Sequence, residues 1–104
     1  MIANNLNPFE PTHPGEVLKD EIEFRGISQK KLAEETGISY TVLNEILNAK
    51  RPLNAEYAML IEAALDLDAE PLLKMQTRYD MQMAKRDNTF MERLNKVRKI
   101  AAVL

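Results

Sequence analysis

The chain contains no cysteine, which excludes a disulfide framework, thiolate metal sites and thiol catalysis. It has three glycines, too few for a glycine-rich loop that cradles phosphate. Its longest apolar runs, Ala58–Ile61 and Ile100–Leu104, are far too short to span a membrane. Met1 is not followed by a basic stretch and an apolar run, so no secretory signal is expected. These features favour a cytoplasmic protein.

Residues that carry catalytic or metal chemistry are also scarce. His13 is the only histidine, and no further ligands accompany it at the spacing of a metal site. We therefore expect His13 to cap a helix or to lie at the surface. No pairing of a nucleophile with a base is visible. The sequence predicts no catalytic residue, no metal site and no cofactor, and an enzyme is not expected.

The distribution of charge is more informative than the net charge of −2. Residues 1–70 carry 6 basic and 13 acidic side chains, whereas residues 71–104 carry 8 basic and 3 acidic ones. Within Ser28–Pro52 the balance is 4 basic to 3 acidic. The four basic residues, which stand near the two ends of this stretch, are Lys30, Lys31, Lys50 and Arg51. They can supply local positive charge to a nucleic-acid site.

The stretch Ser28–Pro52 has the pattern of two short helices joined by a tight turn. Ser28 and Ser39 can cap these helices, and Gly37 can end the first in the left-handed conformation without a Cβ penalty. The residues at buried 3/4 spacing are Leu32, Ala33 and Thr36 in the first helix and Val42, Leu43, Ile46 and Leu47 in the second. This arrangement is typical of a helix-turn-helix, whose second helix reads the DNA major groove.

Two helices of the same domain are predicted around this motif. The preceding helix opens with Thr12 or His13 as its cap, ends at Gly26 and turns Val17, Leu18 and Ile22 inward. The following helix takes Asn54 as its cap. Its residues predicted to be mostly buried are Tyr57, Ala58, Leu60, Ile61, Ala64 and Leu65.

Two more helices complete the chain. A fifth follows a turn at residues 66–68 and has Gln76 among its surface residues. A sixth is predicted from Thr89 to about Val103, with Asn88 as its cap. Six helical segments and no strand give an all-α chain. Its expected parts are a flexible segment at 1–12, with Phe9 against the domain edge, a DNA-binding domain at 13–86 and a helical extension at 87–104.

The predicted sixth helix carries a heptad seam of apolar residues, Phe90, Leu94, Val97, Ala101 and Leu104. The seam covers about two heptads, fewer than a coiled coil needs. Three readings stay open: a helix folded back on the domain, a dimer seam, or a segment that orders on a partner.

Three stretches of the chain resemble HigA-type antitoxins of the Xre/Cro-like helix-turn-helix family. They are Pro11–Leu18 (PTHPGEVL), Ser28–Pro52 and Gln76–Asp80 (QTRYD). The resemblance covers residues 11 to about 86; its opening and closing motifs are fairly specific, whereas the helix-turn-helix alone is generic. It implies a five-helix lambda-repressor-like helix-turn-helix domain, followed here by an additional C-terminal helix.

The resemblance also implies a function and partners. Such proteins are antitoxins of type II toxin-antitoxin modules. They are homodimers that bind palindromic promoter DNA, repress their own operon, and neutralise a HigB-type toxin, a RelE-like ribonuclease that cuts mRNA. The alternative is a stand-alone Xre-family repressor with no toxin partner. Either protein would be cytoplasmic and would associate with the nucleoid when bound to DNA.

The candidate site residues follow from the motif and the resemblance together. The expected DNA contacts are Gln29, Lys30, Ser39, Tyr40, Thr41, Asn44, Asn48, Lys50 and Arg51. Among them, Asn44 can pair with adenine and Thr41 can touch thymine, while the basic residues supply the electrostatic attraction. The expected dimer interface, drawn from the last two helices, is Leu72, Met75, Tyr79, Met83, Phe90, Leu94 and Val97.

Ala49 and Tyr40 depart from the family pattern, the tail beyond about Arg86 is longer than in many relatives, and Glu45 is an unexpected residue beside DNA. Ala49 stands where relatives commonly have glycine, so Asn48 is expected to take the left-handed conformation instead. Tyr40 is bulkier than the residues common at its position. Glu45 is acidic beside the expected DNA surface; it can accept from cytosine, but pairing with a lysine is favoured.

Overall fold

The computed structural model describes residues 11–104, and Phe9 therefore lies outside the described residues. Within them the chain is all-α, with six helices and no strand. The helices are α1 (Pro14–Arg25), α2 (Gln29–Thr36), α3 (Tyr40–Leu47), α4 (Ala55–Leu65), α5 (Ala69–Ala84) and α6 (Asn88–Ala101). Thr12–Thr77 form one compact unit, and Arg78–Leu104 belong to a second.

The Thr12–Thr77 unit has a single apolar core drawn from all five of its helices. The buried apolar residues are Leu18, Ile22, Leu32, Ala33, Ile38, Leu43, Ile46, Leu47, Leu53, Ala58, Ile61, Leu65, Ala69 and Leu72. Each fully buried leucine or isoleucine contributes about 1.5–3 kcal/mol relative to an exposed one. The inward positions predicted for α2 and α3 are confirmed, with Val42 half-buried at the edge.

Two helices bury less than their apolar content predicts. On α1, Leu18 and Ile22 are buried as predicted, but the prediction was wrong for Val17, which is 39% exposed. On α4, the prediction was wrong for Leu60 and Ala64, which are exposed. The stripe that α4 buries is Ala58, Ile61 and Leu65. A helix on the surface of a domain buries one such stripe, whatever the apolar content of its other faces.

His13 is the N-cap of α1 and is almost fully buried. Its Nδ1 accepts a hydrogen bond from the Gly15 amide at 2.8 Å, and the Glu16 carboxylate accepts one from the His13 amide at 3.0 Å. This is a capping box in which histidine takes the place of serine or threonine. The expectation of a capping histidine is confirmed, and the alternative of a surface histidine is wrong.

Gly15 brings α1 close to the end of α3. A Cβ atom at this position would lie 1.8 Å from the carbonyl oxygen of Ile46. Only glycine permits this approach. The start of α1 therefore fixes the C-terminal end of α3, the helix that carries the expected base-reading residues.

The boundaries of α6 differ slightly from the prediction. Asp87, and not Asn88, is the cap, because its Oδ1 accepts from the amide of Phe90 at 3.1 Å. The helix thus begins one residue earlier than expected and ends at Ala101. None of its residues is buried in the single chain.

Candidate nucleic-acid interface

The turn between α2 and α3 is held by local polar contacts. Ser28 and Ser39 cap the two helices, each hydroxyl accepting from the amide three residues on, at 3.0 and 3.2 Å. Gly37 ends α2 with φ +76°, as predicted. The Thr36 hydroxyl donates to the Leu32 carbonyl and accepts from the amide of buried Ile38. Thr36 and Gly37 therefore fix the turn from the α2 side, and Ser39 fixes it from the α3 side.

The outward face of α3 presents the residues expected to contact DNA. Tyr40, Thr41 and Asn48 are exposed, and Asn44 is half-buried between them. Gln29, at the start of α2, lies beside this face, because the Asn44 Nδ2 donates to the Gln29 Oε1 at 2.8 Å. The structure thus brings together the residue expected to meet the DNA backbone and the residue expected to meet a base.

Asn48 closes the C-terminal end of α3 without taking the left-handed conformation. Its φ is −103°, whereas Ala49 has φ +61°, so the expectation for Asn48 was wrong. The side chain of Asn48 explains the difference: its Nδ2 donates to the Asn44 carbonyl at 2.8 Å, and its Oδ1 accepts from Lys19 Nζ at 3.1 Å. Ala49 then takes the conformation in which L-residues are strained.

Glu45 pairs with Arg51, and not with a lysine as expected. Both Nε and Nη2 of Arg51 donate to the same oxygen, Glu45 Oε1, at 3.0 and 2.8 Å. The left-handed turn at Ala49 lies between the two residues. The pair is half-exposed at the edge of the outward face of α3.

The remaining basic residues at the rim of the motif are exposed. Lys30 lies on α2 and Lys50 in the loop after α3. Lys31 forms an exposed ion pair with Glu35 at 3.1 Å, a contact that contributes little to stability in water. These lysines can place positive charge at both ends of the outward face, as a phosphate-binding rim requires.

Gln76 is a structural residue that sequence reasoning placed wrongly at the surface of α5. It is buried, and its Oε1 accepts from the amide of Leu53 at 2.9 Å. This bond fixes the chain as it leaves the loop at Lys50 and Arg51. Its position in the QTRYD motif is the only sequence signal that could have indicated a special role for Gln76.

The residues expected at a dimer interface differ in exposure. Leu72 is buried in the core of the Thr12–Thr77 unit. Met75, Tyr79 and Leu94 are half-buried. The exposed members of the set are Met83, Phe90 and Val97.

Residues 11–104 contain no cluster of three or more histidine, cysteine, aspartate or glutamate side chains that could hold a metal ion. In the same part of the chain, no helix has the length and apolar character needed to cross a membrane.

The fold and the motif define a helix-turn-helix protein, and comparison with known proteins gives the same class. Residues 18–72 match the model of the helix-turn-helix family. The chain belongs to this Xre-like helix-turn-helix family. Virulence-associated protein I of Dichelobacter nodosus is 35% identical over 87 residues, which are 83% of this chain and 81% of that protein.

Two solved structures are similar in both sequence and fold. An addiction module antidote protein of the HigA family from Coxiella burnetii is 32% identical, with a TM-score of 0.70 over 80% of this chain and 92% of that one. A Pseudomonas aeruginosa protein solved in complex with its 28 bp operator DNA is 30% identical, with a TM-score of 0.67 over 72% of this chain and 84% of that one.

Proposed function

We propose that this protein is the antitoxin of a type II toxin-antitoxin module and represses its own operon. The proposed partners are palindromic promoter DNA, a second copy of the chain, and a HigB-type, RelE-like toxin that cuts mRNA. The protein would act in the bacterial cytoplasm and be associated with the nucleoid when bound to DNA. A stand-alone Xre-family repressor is the alternative.

The observation that carries DNA binding is the outward face of α3 together with Gln29. Polar side chains, including the bulky Tyr40, stand on this face, while its helix is packed from behind by buried Leu43, Ile46 and Leu47. Rigid presentation of a few polar groups is what base reading in the major groove needs. The similar Pseudomonas aeruginosa protein, solved on operator DNA, supports the same use of the fold.

The toxin-binding part of the proposal is supported by the similar HigA-family antidote from Coxiella burnetii. We place the toxin on the exposed face of α1, an acidic helix whose Asp20 and Glu23 are both exposed. A ribonuclease that binds mRNA needs a basic surface, which this face complements.

We further propose that the homodimer forms through the apolar residues near the C-terminus. Phe90 and Val97 are exposed on α6, which buries none of its residues in the single chain. One helix-turn-helix covers one half-site, so a dimer is needed to read a palindrome with half-sites about one helical turn apart.

Co-expression tests the antitoxin proposal directly. The chain is produced together with the product of the neighbouring gene, and growth and co-purification are measured. A stable complex that relieves growth arrest is expected. If the neighbouring gene encodes an active toxin and the chain neither binds it nor restores growth, the stand-alone repressor is the correct reading.

A further inference from the structure

Glu45 and Arg51 stand beside the base-reading residues of α3. Glu45 lies one helical turn after Thr41, so the two side chains lie on the same face of the helix. Its carboxylate holds the guanidinium of Arg51 through Nε and Nη2. About two-fifths of each side chain in the pair is exposed, 43% for Arg51 and 38% for Glu45. The guanidinium is therefore both fixed and accessible.

The bonds to Glu45 leave one edge of the guanidinium available. An arginine side chain has five N–H donors in a planar fork. Glu45 engages the Nε–H and one N–H of Nη2, so the two N–H groups of Nη1 and the second one of Nη2 remain. Guanine presents two acceptors, N7 and O6, in the major groove. The guanidinium edge that remains, with one N–H of Nη1 and one of Nη2, can donate to both of them.

We propose that Arg51 reads a guanine in the operator and that Glu45 is the residue that positions it. The proposal rests on the proposed DNA-binding function and assigns a G·C pair in each half-site to Arg51. An arginine whose fork is held before binding loses less conformational freedom when it meets a base. The pair also cancels the negative charge of Glu45, which would otherwise repel the phosphates.

The neighbouring residue Lys50 offers a matched control. It is exposed in the same loop, and we expect it to contact phosphate. A phosphate contact strengthens binding to every sequence alike, whereas a base contact strengthens binding only to fragments that carry the right base pair.

The test measures how single base-pair changes alter the affinity of the full chain for the palindrome that it protects in its own promoter. For the wild type, replacing the G·C pair assigned to Arg51 in each half-site should weaken binding about tenfold or more. Placing 7-deazaguanine, which lacks the N7 acceptor, at the same position should have a similar effect. Arg51→Ala should reduce that penalty to less than about twofold and leave the penalties at other positions unchanged. Arg51→Lys, which keeps the charge but lacks the fork, should not restore the preference.

The positioning role of Glu45 is distinguished from a purely structural role by measuring base-pair preference and thermal stability together. Glu45→Ala should lower the preference at the same G·C pair and at no other, with an unchanged thermal midpoint. Glu45→Gln keeps an oxygen acceptor and should retain most of the preference. Lys50→Ala should weaken all fragments by a common factor and flatten the salt dependence.

The possible failures are distinguishable. If the wild type does not prefer its promoter to unrelated DNA, the proposed function fails and this inference fails with it. If the wild type shows the preference but Arg51→Ala weakens all fragments equally, Arg51 contacts phosphate, and only this inference is overturned. The same holds if Arg51→Ala leaves the whole profile unchanged.

Discussion

The side-chain amide of Asn44 donates a hydrogen bond to the side-chain carbonyl of Gln29, 2.8 Å away on the preceding helix. Each amide group has two N–H donors and one oxygen acceptor. Asn44 therefore keeps one donor and its acceptor, which suffice for a bidentate contact to adenine. Gln29 keeps its own N–H donors, which suit a phosphate oxygen. In the proposed complex, this bond couples the contact of Gln29 with the DNA backbone to the contact of Asn44 with a base.

This bond predicts that substitutions of Gln29 and Asn44 are not additive. Gln29→Ala and Asn44→Ala should each weaken operator binding, but the double variant should lose less than the sum. An interaction energy of about 0.5–3 kcal/mol is expected for residues in direct contact. Operator affinity of the four proteins, measured by fluorescence anisotropy, gives this energy. Gln29→Ala combined with Lys50→Ala is the control and should be additive; additivity in both pairs would contradict the coupling.

The close approach of Gly15 to α3 predicts a large loss of stability for Gly15→Ala. The added Cβ would collide with the Ile46 carbonyl, and overpacking of this kind costs up to about 3 kcal/mol. Gly37→Ala is the comparison, because a Cβ there meets no atom within 4 Å and only the positive φ opposes it, at about 1–2 kcal/mol. Urea unfolding should rank Gly15→Ala as the less stable variant. The reverse order would show that α1 can move away from α3 at little cost.

Burial of Gln76 predicts that Gln76→Ala destabilises the Thr12–Thr77 unit. The substitution leaves the buried amide of Leu53 without its acceptor, at a cost of about 1–3 kcal/mol. Thr77→Ala, at the exposed neighbouring position, should change the free energy of unfolding by less than about 0.5 kcal/mol. Chemical denaturation measures both, and equal values would mean that the bond to Leu53 contributes nothing.

The proposed dimer predicts that a charge on the apolar seam of α6 separates the protomers. Val97→Asp should give a monomer, because an unpaired carboxylate cannot be buried in an apolar interface without a large penalty. Asn95→Asp adds the same charge at another exposed position of the helix and should leave the dimer intact. Sedimentation velocity gives the mass of each variant. A Val97→Asp protein that keeps the mass of the wild type places the dimer interface elsewhere.

The helices could be predicted because their signals are local. Serine caps, Gly26 and Gly37 mark the helix ends, and the 3/4 spacing of apolar residues identifies the buried faces of α2 and α3. The buried stripe of α4 could not be chosen in this way, because Leu60 and Ile61 are equally apolar and periodicity alone does not say which one faces the core.

The finer geometry of the site depends on individual side-chain contacts that residue propensities do not predict. Propensity favours Asn48 for the left-handed position, but its bonds to Lys19 and to the Asn44 carbonyl hold it at a φ of −103°. Glu45 pairs with Arg51 across the turn at Ala49. Ala49 takes a left-handed conformation there, which the intrinsic propensity of alanine disfavours. Such contacts are set by tertiary structure and have no signature in a single sequence.

Footprinting on the promoter of the protein's own gene tests the central claim, that the outward face of α3 reads an operator, most directly. The wild type should protect a palindromic site, and Thr41→Ala and Asn44→Ala should each lose about 1–3 kcal/mol of specific affinity per contact removed. Binding to unrelated DNA should change little, because neither residue is charged. Protection of the same site at the same concentrations by wild type and both variants would contradict the assignment of α3 as the reading helix.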